Sequence, residues 1–187
     1  MNRPVHIATG ISLYAIVAVA QKENINIGGV EIYSTVGVLG TLIGSIAPDW
    51  DLKSMHFTRG KKGIARGVAK LKTKAVNSVT GGHRGITHTL LIPAIVTYVE
   101  YLLIPLTLSI PILFNIGYSV LFGAIVGYLL HLYADLYNGK GVPILWPIIK
   151  KKISIADLPS EGIVPWIWLI LHVVALIGFY VMKGDFL

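Results

Sequence analysis

Three short clusters in this chain carry residue types that hold metals or move protons: Pro48-Asp49-Trp50-Asp51, His83-Arg84-Gly85-Ile86-Thr87-His88 and His131-Leu132-Tyr133-Ala134-Asp135. Each sits at the end of a long apolar run. An ionisable side chain at the centre of a membrane helix costs roughly 2.5–3.5 kcal/mol on insertion scales, so a chain that gathers acids and histidines at such places has a use for them. Imidazole and carboxylate together suit zinc, manganese, iron or magnesium. The sequence contains no cysteine, which excludes thiolate ligands and disulfides alike. The chemistry indicated is a membrane-embedded site for a divalent metal, zinc first among them, with hydrolysis as its reaction.

The individual pairs allow more than one arrangement. His131 and Asp135 are four residues apart, a spacing that shares one helix face. They can grip one ion from successive turns, as His-x-x-x-His pairs do. Alternatively, Asp135 orients His131, as carboxylates do for metal-bound imidazoles; a hydrogen-bonded pair closing a helix end is the plainest option. Asp49 and Asp51, alternate residues in an extended segment, can supply a ligand and a base or two ligands. His83 and His88 bracket the start of an apolar run, with Gly81, Gly82 and Gly85 permitting tight backbone geometry. Thr87 can cap a helix or donate to a carboxylate. Arg84 can clamp a phosphate or carboxylate through parallel hydrogen bonds. His6, at the start of the first apolar run, completes the shell. His56 and His172 have no acidic neighbour in sequence and stay outside it.

These residues need helices to position them. The chain is 54% hydrophobic and 13% charged, with a mean hydropathy of +0.70, whereas soluble domains carry about a quarter charged residues. Its 187 residues make one integral-membrane domain, residues 1–187. Five apolar segments stand out, at residues 5–20, about 30–47, 86–106, 112–137 and 163–182. A span takes about 20 apolar residues, so the first is short and the fourth long. Pro105 and Pro111 bracket the turn between the third and fourth. The first also imitates a secretory signal, with Arg3, a short apolar run and Ala18-Val19-Ala20; His6 interrupts that run and favours a retained span. The expected fold class is all-α, a polytopic membrane helix bundle with about five spans and a cytoplasm-facing polar site.

Charge orients the bundle. The net charge is +7, and nine of the sixteen basic residues lie between positions 53 and 84 with no acid among them. In a membrane chain such a block reports topology and anionic lipid headgroups before nucleic acid, and no nucleic-acid partner is expected. This basic loop, residues 53–82, and the later Lys140, Lys150, Lys151 and Lys152 belong on the cytoplasmic side, with the N-terminus. Within the loop, Ile64, Val68, Leu71, Val76 and Val79 approximate the stripe of an interfacial amphipathic helix; a solvated connector explains them equally well. The orientation gathers His6, Asp49, Asp51, His83, His88, His131 and Asp135 at the cytoplasmic boundary.

Taken in this order, the clusters resemble the YdjM-like family of inner-membrane proteins, described as metal-dependent hydrolases. His6 with Gly10 precedes them, Gly127-Tyr128-Leu129-Leu130 leads into His131, and Gly141-Val142-Pro143-Ile144-Leu145-Trp146-Pro147 follows Asp135. The resemblance covers most of the chain up to Trp146. It implies a metal-dependent hydrolase of the inner membrane, without a defined substrate. A looser similarity to zinc-dependent phospholipase C enzymes favours phosphoesters.

The resulting expectation is hydrolysis of a lipid-associated phosphoester, with membrane lipids and anionic headgroups as partners. One or two divalent ions are held by Asp49, Asp51, His83, His88, His131 and Asp135, joined by His6. Asp49 or Asp51 acts as base, and Arg84 stabilises developing negative charge. Two readings of other classes compete. A metal or proton transporter would use the same residues as a pathway, although nothing comparable is apparent in the outer half. A non-catalytic membrane protein would hold its metal structurally.

Overall fold

The computed structural model describes residues 3–20, 25–27, 30–49, 85–107, 111–149 and 151–183. Its five helices are α1 (Arg3–Ala20), α2 (Ser34–Ile46), α3 (Leu91–Thr107), α4 (Pro111–Leu136) and α5 (Val164–Lys183). A small antiparallel hairpin, β1 (Ile25–Ile27) and β2 (Val30–Ile32), precedes α2, with Ile25 opposite Ile32 and Ile27 opposite Val30. Short 3-10 turns follow α2 at Ala47–Asp49 and precede α3 at Ile86–His88.

The expected all-helical bundle is present, but its helices are of unequal length. Phe114–Leu136 and Val164–Lys183 are long and apolar enough to cross a membrane, while Pro4–Ala20 and Leu91–Leu102 are shorter apolar stretches. Among the described residues, two segments rather than five therefore meet the length and hydropathy of a full crossing. The second apolar segment shows why. It opens in the strand β2, which leaves α2 only 13 residues, about 20 Å of helix against about 30 Å of hydrocarbon.

The bundle is organised by a seam of small residues between α2 and α4. Gly40 and Gly44 on α2 and Gly123 and Gly127 on α4 each form a Gly-x-x-x-Gly pair. All four are buried. A methyl group added at Gly44 would overlap the Ala124 carbonyl, and one at Gly123 would overlap the Gly37 carbonyl. The backbones thus meet directly. In a lipid environment water expulsion does not drive helices together, and small residues permit the close van der Waals contact that does. Thr41 and Ser119, buried in the same region, donate to the carbonyls four residues earlier in their own helices, Gly37 and Asn115. Neither hydroxyl is left costly in an apolar setting.

Two rows at spacing four run along this seam into the chemistry. On α2 the row is Gly37, Thr41, Ser45 and then Asp49 just past the helix; on α4 it is Ser119, Gly123, Gly127, His131 and Asp135. The outer faces are the opposite in character. Ile95, Tyr98 and Leu102 on α3 and Ile170, Leu171, Val174 and Met182 on α5 are all exposed. Apolar exposure on this scale is a liability in water and ordinary against lipid.

Beyond α4 the chain returns over its own helix end. Ile155 N–H donates to the Leu136 carbonyl at 2.7 Å and Leu158 N–H to the Tyr137 carbonyl at 2.9 Å. These bonds satisfy carbonyls that a helix C-terminus otherwise leaves open. The same return docks on the start of α3, where Leu90 N–H donates to the Ile144 carbonyl at 2.9 Å. The turn carrying His88 is thereby tied to the end of α4.

Candidate metal centre

Four separate segments bring five of the sequence-predicted residues into one buried cluster. α1 contributes His6 from its first turns, and the turn after α2 contributes Asp49. The 3-10 turn before α3 contributes His88, and the last turns of α4 contribute His131 and Asp135. His88 and His131 are 0% exposed. Asp51, His83 and Arg84 lie outside the described residues, as do the interfacial-helix reading of the basic loop and His56.

The distances describe a common focus. Asp49 Oδ1 lies 3.8 Å from His88 Nε2 and 3.9 Å from His131 Nε2. Asp135 Oδ2 lies 3.6 Å and 3.8 Å from the same two nitrogens. Its other oxygen, Oδ1, is 3.3 Å from His6 Nε2. The His6 ring stacks on that of His131, with centroids 3.8 Å apart. Ligand atoms of His88, His131 and Asp135 lie within 4.8 Å of one another, and so do those of His6, Asp49 and His131.

His131 shows best what this arrangement suits. Its Nδ1 lies 2.8 Å from the Ser45 carbonyl, which can only accept, so Nδ1 carries the proton. In the neutral ring Nε2 is then a bare lone pair. It is completely buried and makes no hydrogen bond, and it faces oxygens of two carboxylates. Three acceptors converging on one point repel each other unless a cation lies between them. At 3.8–3.9 Å the separations are too long for N–H···O bonds. They are close to the roughly 3.4 Å that tetrahedral donors keep when each is about 2.1 Å from one ion. Charge agrees with distance: a divalent cation offsets the negative charge of two carboxylates, which is expensive to bury in an apolar interior. The donor set fits a divalent metal, and the residues of this cluster could hold one.

Outer contacts orient the rings. The Ser45 carbonyl, rather than Asp135, holds His131, so the i,i+4 pair is not a mutual hydrogen bond. Thr87 Oγ1 lies 3.2 Å from His88 Nδ1, which turns Nε2 of that ring inward. The Tyr128 hydroxyl, one turn before His131, donates to the Thr87 carbonyl and pins the His88 turn to α4. The backbone carbonyl of Ser45 gives no sequence signal. Tyr128 does give one, as a tyrosine inside an apolar helix three residues from a candidate ligand.

Two further titratable groups lie apart from the cluster. His172 Nε2 accepts from the Tyr133 hydroxyl at 2.9 Å while its Nδ1–H donates to the Trp168 carbonyl at 2.8 Å, a local role outside the site. Glu100 is buried near the middle of α3.

Comparison with known proteins agrees with the membrane character of the chain. The Escherichia coli (strain K12) protein called inner membrane protein YdjM is 31% identical over 110 residues, which is 59% of this chain and 48% of the relative. The Shigella flexneri protein of the same name matches to the same extent. The aligned region thus spans about half the length of these curated relatives. No solved structure matches the chain. The family described as YdjM inner membrane protein matches residues 1–185, nearly the whole sequence, and the chain therefore belongs to that family.

Proposed function

We propose that this protein is a metal-dependent hydrolase of the inner membrane that acts on a lipid-associated phosphoester. The observation that carries the reading is the bare, buried Nε2 of His131 facing oxygens of both Asp49 and Asp135. His6, Asp49, His88, His131 and Asp135 hold the metal, zinc in preference to manganese, iron or magnesium, with His83 completing the set. When bound, a divalent ion supplies Lewis-acid activation and neutralises phosphoryl charge. Asp49 groups with the ligands, which leaves Asp51 to accept the proton from the attacking water. Arg84 pairs with the phosphoryl oxygens and stabilises the charge that grows on them. The site faces the cytoplasm, and all five helices cross or enter the bilayer. The basic loop at residues 53–82 enriches anionic headgroups there.

Metal analysis of detergent-purified protein tests this. About one equivalent of divalent metal per chain, lost in His131→Ala and Asp135→Ala, is expected, together with phosphate-ester hydrolysis that chelation abolishes. Protein that takes up neither zinc nor manganese on reconstitution would overturn the reading.

One feature favours a second reading, a structural metal in a non-catalytic membrane protein. The cluster is almost fully buried and offers five protein donors, more than the four of closed structural zinc sites. Stoichiometric metal with no hydrolysis of any phospholipid or polyprenyl phosphate, and no loss of metal on brief exposure to chelator, would establish it.

A further inference from the structure

A cavity of about 260 Å³ lies between α1, α4 and α5, and only carbon surfaces line it. Leu13 and Val17 form its α1 wall, Phe122, Val126 and Leu130 its α4 wall, and Leu176 closes it from α5. Val17, Phe122, Val126, Leu130 and Leu176 are half-buried, so the cavity is a slot that opens sideways, toward the surroundings of the bundle.

Its position relates it to the metal centre. Leu13 is seven residues beyond His6, two helical turns along the same face of α1, and Val17 continues that row by another turn. On α4 the wall begins at Leu130, beside His131, and climbs away from the centre through Val126 to Phe122. The eight steps from Phe122 to Leu130 rise about 12 Å at 1.5 Å per residue. A slot of that length and volume has a cross-section on the order of 20 Å², enough for one unbranched hydrocarbon chain. Val5, Ala134, Trp168 and Leu169 of the same three helices pack together outside its lining. An occupant therefore runs along the helices rather than through the bundle.

We propose that this slot binds one acyl chain of a membrane phospholipid and holds it so that the phosphoester lies at the His6–Asp135 side of the centre. The assignment rests on the hydrolase reading for its polar end and deepens it by naming the substrate class. Two features of the slot select the acyl chain. Tyr14 also lines it, but the surface it presents is wholly apolar, so hydrocarbon gains by entering. It also opens toward lipid, where chains are the available occupant.

The test uses the full-length, metal-loaded protein in detergent and dodecyl phosphate carrying a diazirine near its terminal methyl. Photolabelling should fall on Val17, Ala18, Val126 or their neighbours, and competition by dodecyl phosphate should need at least ~100-fold less ligand than competition by butyl phosphate. Ala18→Phe and Val126→Trp, which fill the slot from opposite walls, should each abolish labelling there while leaving bound metal unchanged. Labelling spread over the exposed face of α5, or unaltered in both filled variants, would overturn the proposal, as would farnesyl phosphate competing more strongly than dodecyl phosphate. The two readings fail separately. Slot labelling that persists in a protein without metal removes the hydrolase and keeps the slot, whereas stoichiometric metal without slot labelling does the reverse.

Discussion

The two sides of α4 solve the same packing problem in opposite ways. Toward α2 the contact is backbone against backbone, with glycines where side chains would otherwise stand. Toward α5 it is made by large rings, Tyr133 and Tyr137 against Trp168 and His172, with centroids 5.2–5.9 Å apart across the contact. Tyr133 and His172 also share a hydrogen bond. Small residues bring two helices so close that a carbonyl of one, at Ser45, sets the ring of His131 on the other. Large residues hold helices apart, and beyond the last ring the space between α1, α4 and α5 stays open as the apolar slot. Close packing fixes ligand geometry; loose packing leaves room for a guest.

The sharpest way to break this contrast is to add bulk at the seam. Gly44→Leu should force α2 away from the Ala124 carbonyl. Thermal unfolding in detergent should show a loss above about 3 kcal/mol, the upper end of ordinary overpacking, or no folded protein at all. Next in size, His131→Ala should weaken metal binding by more than ~100-fold in a direct titration, since loss of mere orienting partners already costs ~10–100-fold. Tyr128→Phe removes only the hydroxyl that pins the His88 turn. It should lower metal affinity by about tenfold and stability by about 1 kcal/mol. Tyr133→Phe, on the other side of α4, should cost a similar ~1 kcal/mol in unfolding but leave metal affinity unchanged. Leu171→Ala, on the exposed face of α5, should change stability by less than about 0.5 kcal/mol. If Tyr133→Phe weakened metal binding as much as Tyr128→Phe, the two sides of α4 would not be separate in function.

Much of the site was legible because its chemistry is expensive. Histidines and aspartates at the ends of apolar runs draw notice, and charge bias in the loops sorts them to one side. The seam was equally written in the chain, as small residues every fourth position on α2 and α4, but a reading by hydropathy passes over glycine. Glu100 escaped for a related reason: one acid within a long apolar helix barely alters its average, while its cost depends on burial that only packing reveals. Helix α2 falls short of a full crossing because an apolar run reports solubility in lipid, and Val30 and Ile32 are as apolar in a strand as in a helix.

Residue type by itself determined that this chain belongs in a membrane, that ligands to any metal must be nitrogen and oxygen, and which side chains are candidates. Those properties follow from transfer free energies and donor chemistry, which each residue carries wherever it sits. Tertiary structure alone decided that five of the candidates converge, that His131 presents Nε2 rather than Nδ1, and that an apolar slot stands above His6. These depend on distances between segments far apart in sequence. The glycine seam set those distances by letting two backbones touch.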